Sequence, residues 1–81
     1  MRLPRDLSGP RLVTLLQRLG YEVTRQSGSH IRLSRTTPDG TSHITVPAHR
    51  SLKLGLLAAI VTEVASQLGR DREALAEELF G

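Results

Sequence analysis

Arg25-Gln26-Ser27-Gly28-Ser29-His30-Ile31-Arg32-Leu33-Ser34-Arg35 is the stretch that decides how this chain folds. Apolar and polar residues alternate from Ser29 to Arg35. This period of two turns Ile31 and Leu33 toward a core and His30, Arg32 and Ser34 away from it. Ser27-Gly28 ahead of the strand reads as a turn, and Thr36-Thr37-Pro38-Asp39-Gly40 behind it reads as a hairpin loop. Thr41 to Val46 alternates again, with Ile44 and Val46 inward, His43 and Thr45 outward, and Pro47 as its end. Upstream, Tyr21 to Gln26 alternates with Tyr21 and Val23 inward. Paired residues must share a face. The favoured hairpin register therefore pairs Arg35 with Gly40 across a four-residue loop. It sets His30 opposite Thr45 and Arg32 opposite His43, and it makes His43 a diagonal neighbour of His30, with backbones about 7–8 Å apart.

Helices flank these strands. After an N-terminal arm over residues 1–7, Ser8 is a good N-cap and Pro10 suits a first turn. Leu12, Leu15, Leu16 and Leu19 then follow helical spacing up to Gly20. Ala48 to Leu52 connects to a second helix that starts around Lys53-Leu54-Gly55. Its stripe is Leu56, Leu57, Ile60, Val61, Val64 and Leu68, and Gly69 ends it. Asp71 is an N-cap for a short third helix with Leu75 and Leu79 as its apolar side. The predicted order is α-β-β-β-α-α in one α+β domain spanning 1–81. A three-stranded antiparallel sheet is covered by helices on one face, and the other face stays wet, carrying Glu22, Thr24, His30, Arg32, Ser34, His43 and Thr45.

The composition narrows the function. At 81 residues the chain is expected to form a single domain with a thin margin of stability. Only Tyr21 and Phe80 are aromatic, so the core must be aliphatic. The chain has no cysteine, which excludes disulfides, thiolate metal sites and thiol catalysis and fits a reducing, cytoplasmic setting. No apolar run approaches the ~20 residues that span a bilayer, and no signal peptide is expected, so no membrane association is expected. The net charge is +3 but unevenly placed. Residues 1–55 hold nine Lys/Arg against three Asp/Glu, or +6, and residues 56–81 hold two against five, or −3. A basic face beside an acidic helical tail points to a polyanion or an acidic partner.

Histidine is the side chain that exchanges protons at neutral pH, and an adjacent arginine can hold a phosphate. His30 beside Arg32 supplies both elements, the minimum for metal-independent RNA cleavage: a base removes the 2′-hydroxyl proton and that oxygen attacks the neighbouring phosphate. One positioned acid–base group contributes about 10²–10⁴-fold in rate. His43 is a candidate second acid–base group. His49, next to Arg50 and near Lys53, is a candidate phosphate contact, as are the backbone N–H groups at the start of the second helix. Three histidines without an Asp, Glu or Cys cluster make a poor metal site, so neither metal nor cofactor is expected. With so few aromatics, binding is expected to be electrostatic.

Taken together, Leu19-Gly20-Tyr21, Arg25-Gln26-Ser27-Gly28-Ser29-His30, Ile44-Thr45-Val46-Pro47-Ala48-His49, Lys53-Leu54-Gly55 and a Leu-Gly turn before a short acidic helix resemble the HicA family of toxin mRNA interferases. The resemblance runs from about Leu7 to Phe80. It implies a fold like that of double-stranded RNA-binding domains. It also implies ribosome-independent mRNA cleavage by one essential histidine, here His30, and neutralisation by a HicB-like antitoxin. The expected RNA contacts are Arg25, Ser29, Arg32, His43, His49, Arg50 and Lys53. The chain departs from the family pattern in three places. Ile31 stands where many members have a second histidine. Leu56 replaces a threonine in the first turn of the second helix. That helix also runs about a turn longer than usual, which bears on antitoxin docking or self-association. Two further readings stay open: a non-catalytic RNA-binding module of the same fold, and a degenerate toxin that binds only an acidic partner.

Overall fold

The apolar stripe of the first helix sets the architecture, because Leu12, Val13, Leu15 and Leu16 are all buried there. The computed structural model describes residues 1–81. It contains α1 (Gly9–Gln17), β1 (Glu22–Ser27), β2 (His30–Thr37), β3 (Gly40–Pro47), α2 (Leu54–Leu68) and α3 (Arg72–Phe80). This is the expected α+β class and the expected order α-β-β-β-α-α. Helix α1 starts where Ser8 Oγ accepts the Arg11 N–H at 3.1 Å. Helix α3 starts where Asp71 Oδ2 accepts the Ala74 N–H at 2.9 Å. Each side chain satisfies one of the N–H groups that a helix start leaves without an internal partner.

The sheet is antiparallel in the order β1-β2-β3. Ile31, Leu33, Ile44 and Val46 line its inner face and join Leu57, Ile60, Val61 and Val64 of α2 and Leu75 of α3 in one core. Tyr21 is 1% exposed and is the core's one fully buried aromatic residue. Leu3 and Leu7 of the N-terminal arm also pack against this core, and Leu7 carbonyl accepts the Leu52 N–H at 2.8 Å. No buried polar or charged residue interrupts it. No helix is long and apolar enough to cross a membrane.

Three sequence expectations need correction. The first concerns Val23. It does share the core side of the sheet, opposite Leu33, yet it is 43% exposed. Helices α1 and α2 meet the sheet chiefly at β3, so the outer edge of β1 has no cover. The second concerns β1 itself. Its alternation breaks at Thr24, where a bulge shifts the register between Val23 and Arg25. Beyond the bulge, Arg25 pairs with Arg32 and Gln26 with Ile31, so Arg25 turns to the wet face although its odd number predicts the other. The third is the hairpin register. Thr37 pairs with Gly40 around a two-residue Pro38-Asp39 loop, so that His30 lies opposite Pro47, Arg32 opposite Thr45 and Ser34 opposite His43. The two threonines extend the ladder instead of belonging to the loop: Thr36 Oγ1 and Thr41 Oγ1 lie 3.1 Å apart across it.

Candidate nucleic-acid interface

The turn Gly28-Ser29 links Ser27 to His30 as a two-residue hairpin loop. Gly28 has φ +57 and Ser29 keeps a negative φ, the combination of a type II′ turn, which requires a residue without Cβ strain at its first central position. The same turn is tied to the far side of the sheet, because Ser29 carbonyl accepts the Ala48 N–H at 2.6 Å. His30 therefore stands at a rigid corner, as the first residue of β2, with its side chain exposed.

The register sorts the wet face into three ranks, one behind the other. Ser27, His30 and Pro47 form the rank at the turn; Arg25, Arg32 and Thr45 form the next; Glu22, Ser34 and His43 form the third. Successive ranks lie about 6–7 Å apart along the strands, two residues at ~3.3 Å each. His43 is thus two ranks from His30, roughly 13 Å away, not its diagonal neighbour. It is engaged elsewhere: Ser34 Oγ sits 2.7 Å from His43 Nδ1 and 3.1 Å from Thr24 Oγ1, a chain of hydrogen bonds across all three strands. His43 carbonyl also accepts from Gln67 Nε2 at 2.7 Å.

Beyond Pro47, which stands opposite His30, the chain carries the remaining candidates on the connection to α2. Gly9 N–H donates to His49 carbonyl at 2.9 Å, which holds the start of α1 against this connection. Gly9 is buried there, and a Cβ on it would overlap the Pro47 carbonyl. His49 and Arg50 are exposed on that connection. Lys53 is the N-cap of α2 and makes no side-chain capping bond. Leu56 stands in the first turn, 38% exposed, where it offers no hydroxyl. Ile31 is buried at 6% exposure, as its parity predicts.

The structure thus brings Ser29, His30, Arg25 and Arg32 to one corner. It links His49, Arg50 and Lys53 to that corner through the end of β3, and it sets His43 apart. Thr45 shares a rank with the two arginines and was not among the expected site residues; only the register reveals it. No three His, Cys, Asp or Glu side chains converge as metal ligands would. No curated protein and no solved structure matches the chain. A family model described as the HicA toxin of bacterial toxin-antitoxin systems matches residues 9–69, the span from the first residue of α1 to the residue that ends α2. On that match, the chain belongs to the HicA toxin family, and it is a toxin of a toxin-antitoxin system.

Proposed function

We propose that this toxin is a metal-independent endoribonuclease with His30 as its acid–base group, neutralised in the cell by a HicB-like antitoxin. The observation that carries this reading is the exposed imidazole at a braced hairpin corner, one rank from Arg25 and Arg32. In the reaction His30 takes the proton from an RNA 2′-hydroxyl. The 2′-oxygen bonds to the adjacent phosphorus, the bond from phosphorus to the 5′-oxygen breaks, and that oxygen leaves with the proton His30 now carries. The products are a 2′,3′-cyclic phosphate and a 5′-hydroxyl, with no redox change and no cofactor. Ser29 at the corner, and His49, Arg50 and Lys53 on the connection that leaves the end of β3, are further contacts to the backbone of a single-stranded message, and His43 is a more remote one. The basic charge of residues 1–55 supports both mRNA and an acidic antitoxin surface as partners.

The test is cleavage of single-stranded RNA by the purified protein in the presence of a chelator. Wild type is expected to produce fragments with cyclic phosphate ends. His30→Ala should lose at least about 100-fold in rate with an unchanged circular dichroism spectrum. Equal cleavage by this variant sinks the assignment. Binding of RNA by wild type with no shortening leaves the non-catalytic module as the better account.

A further inference from the structure

Arg25 and Arg32 stand directly opposite each other on one face of the β1-β2 ladder. Residues paired across two strands are close neighbours on the sheet surface, and like charges so placed repel. Nothing in the chain relieves this. The ion pairs join the N-terminus to Glu73, Arg70 to Glu78 and Arg72 to Glu73. The nearest carboxylate on the same face, Glu22, stands opposite Ser34 and pairs with neither arginine. The repulsion is also built in by an irregularity. Without the bulge at Thr24, the alternation of β1 would turn Arg25 to the other face. The next position across the sheet is Thr45, whose exposed side chain adds a hydroxyl donor.

Two unpaired guanidinium groups and a hydroxyl in one rank are complementary to one tetrahedral anion. Arginine forks suit phosphate oxygens, and an anion between them turns the repulsion into attraction. We infer that Arg25, Arg32 and Thr45 form a clamp for a single backbone phosphate of bound RNA, the one next to the phosphate cut at His30. This rests on the reading of His30 given above and adds a position to it. The rank lies one step, about 6–7 Å, from the His30 rank on the same face. The clamp therefore sets where the strand lies and leaves the reacting atoms to His30.

Binding to an oligoribonucleotide with methylated 2′-hydroxyls tests this without any cleavage. For single strands the slope of log K against log salt changes by about 0.7 for each phosphate neutralised. The double variant Arg25→Gln/Arg32→Gln is expected to lower the slope by that one-phosphate amount. Arg18→Gln/Arg72→Gln, which removes the same charge at exposed sites elsewhere, should leave it unchanged. An unchanged slope in the first variant overturns the clamp, as does an equal fall in the control. A fall of about 1.4 means two separate phosphates and overturns the sharing. On cleavable RNA, Arg25→Gln should raise KM several-fold at nearly constant kcat; a fall in kcat alone would move the pair to the scissile phosphate and overturn its position. If wild type binds but cuts nothing, the assignment of His30 fails while the salt slopes still decide the clamp.

Discussion

Tyr21 shows how much one side chain can hold. Its ring is the only fully buried aromatic surface in the molecule, and its hydroxyl donates to Gln67 Oε1 at 2.6 Å. Gln67 Nε2 in turn reaches His43 carbonyl at 2.7 Å and Glu63 Oε1 at 3.1 Å. One phenol thus links the start of the sheet to α2 and, through it, to the edge of β3. Tyr21→Phe keeps the ring and removes the link, so a loss of about 1 kcal/mol is expected in urea unfolding. The same hydroxyl sets an alkaline limit. Burial pushes its pKa up from 10.0, Arg35 opposes the shift and Glu63 adds to it. A raised value means that the folded state favours the neutral phenol. That contribution is complete below about pH 10 and is lost as pH rises through the folded value. The stability advantage of wild type over Tyr21→Phe should therefore shrink as pH rises above about 10; a constant difference would show that the hydroxyl is not desolvated. Tyr21 was legible as a core residue from alternation alone. Its hydrogen bond was not, because Gln67 is 46 residues away in sequence.

At the scale of elements, the most sensitive junction is the one between α1 and the end of β3. Gly9 is the first residue of α1, and its α-carbon faces the Pro47 carbonyl with no room for a methyl group. Inserting atoms into a packed site costs about 1–3 kcal/mol. Here the obstacle is backbone that cannot rotate away, so Gly9→Ala should fall at or above the upper end. The expected result is a lower urea midpoint with an unchanged m-value. The variant should also displace His49, whose carbonyl accepts the Gly9 N–H, and so weaken RNA binding beyond what the loss of stability explains. Measuring binding well below the unfolding transition separates the two effects. Sequence reasoning read the strands and helices well and their junctions poorly, for a definite physical reason. Alternation fixes which face a residue takes, and a slip of two residues in pairing leaves every face unchanged. The four-residue and two-residue hairpin loops are therefore equally consistent with the pattern of Ile31, Leu33, Ile44 and Val46. Only the turn chemistry separates them: Pro38 at the second position and Gly40 at the fourth suit a tight turn. The bulge at Thr24 left no apolar signal, because every residue of β1 is exposed. Arg25 was consequently a named contact whose predicted face was the wrong one.

For the whole molecule, size governs how any loss of toxicity must be interpreted. At about 0.05–0.15 kcal/mol per residue, a chain of this length has roughly 4–12 kcal/mol of stability. The core that supplies it is aliphatic and shared among α1, the sheet, α2 and α3. Leu57 is fully buried in it, on the face of α2 turned away from solvent. Leu57→Ala removes methyl groups that the surroundings cannot fully replace, at a cost of about 2–5 kcal/mol. In a domain of this size, each kcal/mol shifts Tm by about 4–8 °C, so a fall of about 10 °C or more is expected. His30→Ala, at an exposed corner, should leave Tm within about 4 °C of wild type, because surface changes are usually within ±0.5 kcal/mol. Both variants can relieve growth arrest on induction, and they do so by opposite routes. In Leu57→Ala the folded fraction falls while each folded molecule keeps its activity, so the relief should fade as the culture is cooled. On the proposed role of His30, His30→Ala is expected to accumulate folded and inert, and the relief should persist at every temperature. Thermal melts beside growth curves at two temperatures would tell them apart, and a temperature-dependent relief in His30→Ala would place that histidine in the fold and not in the chemistry.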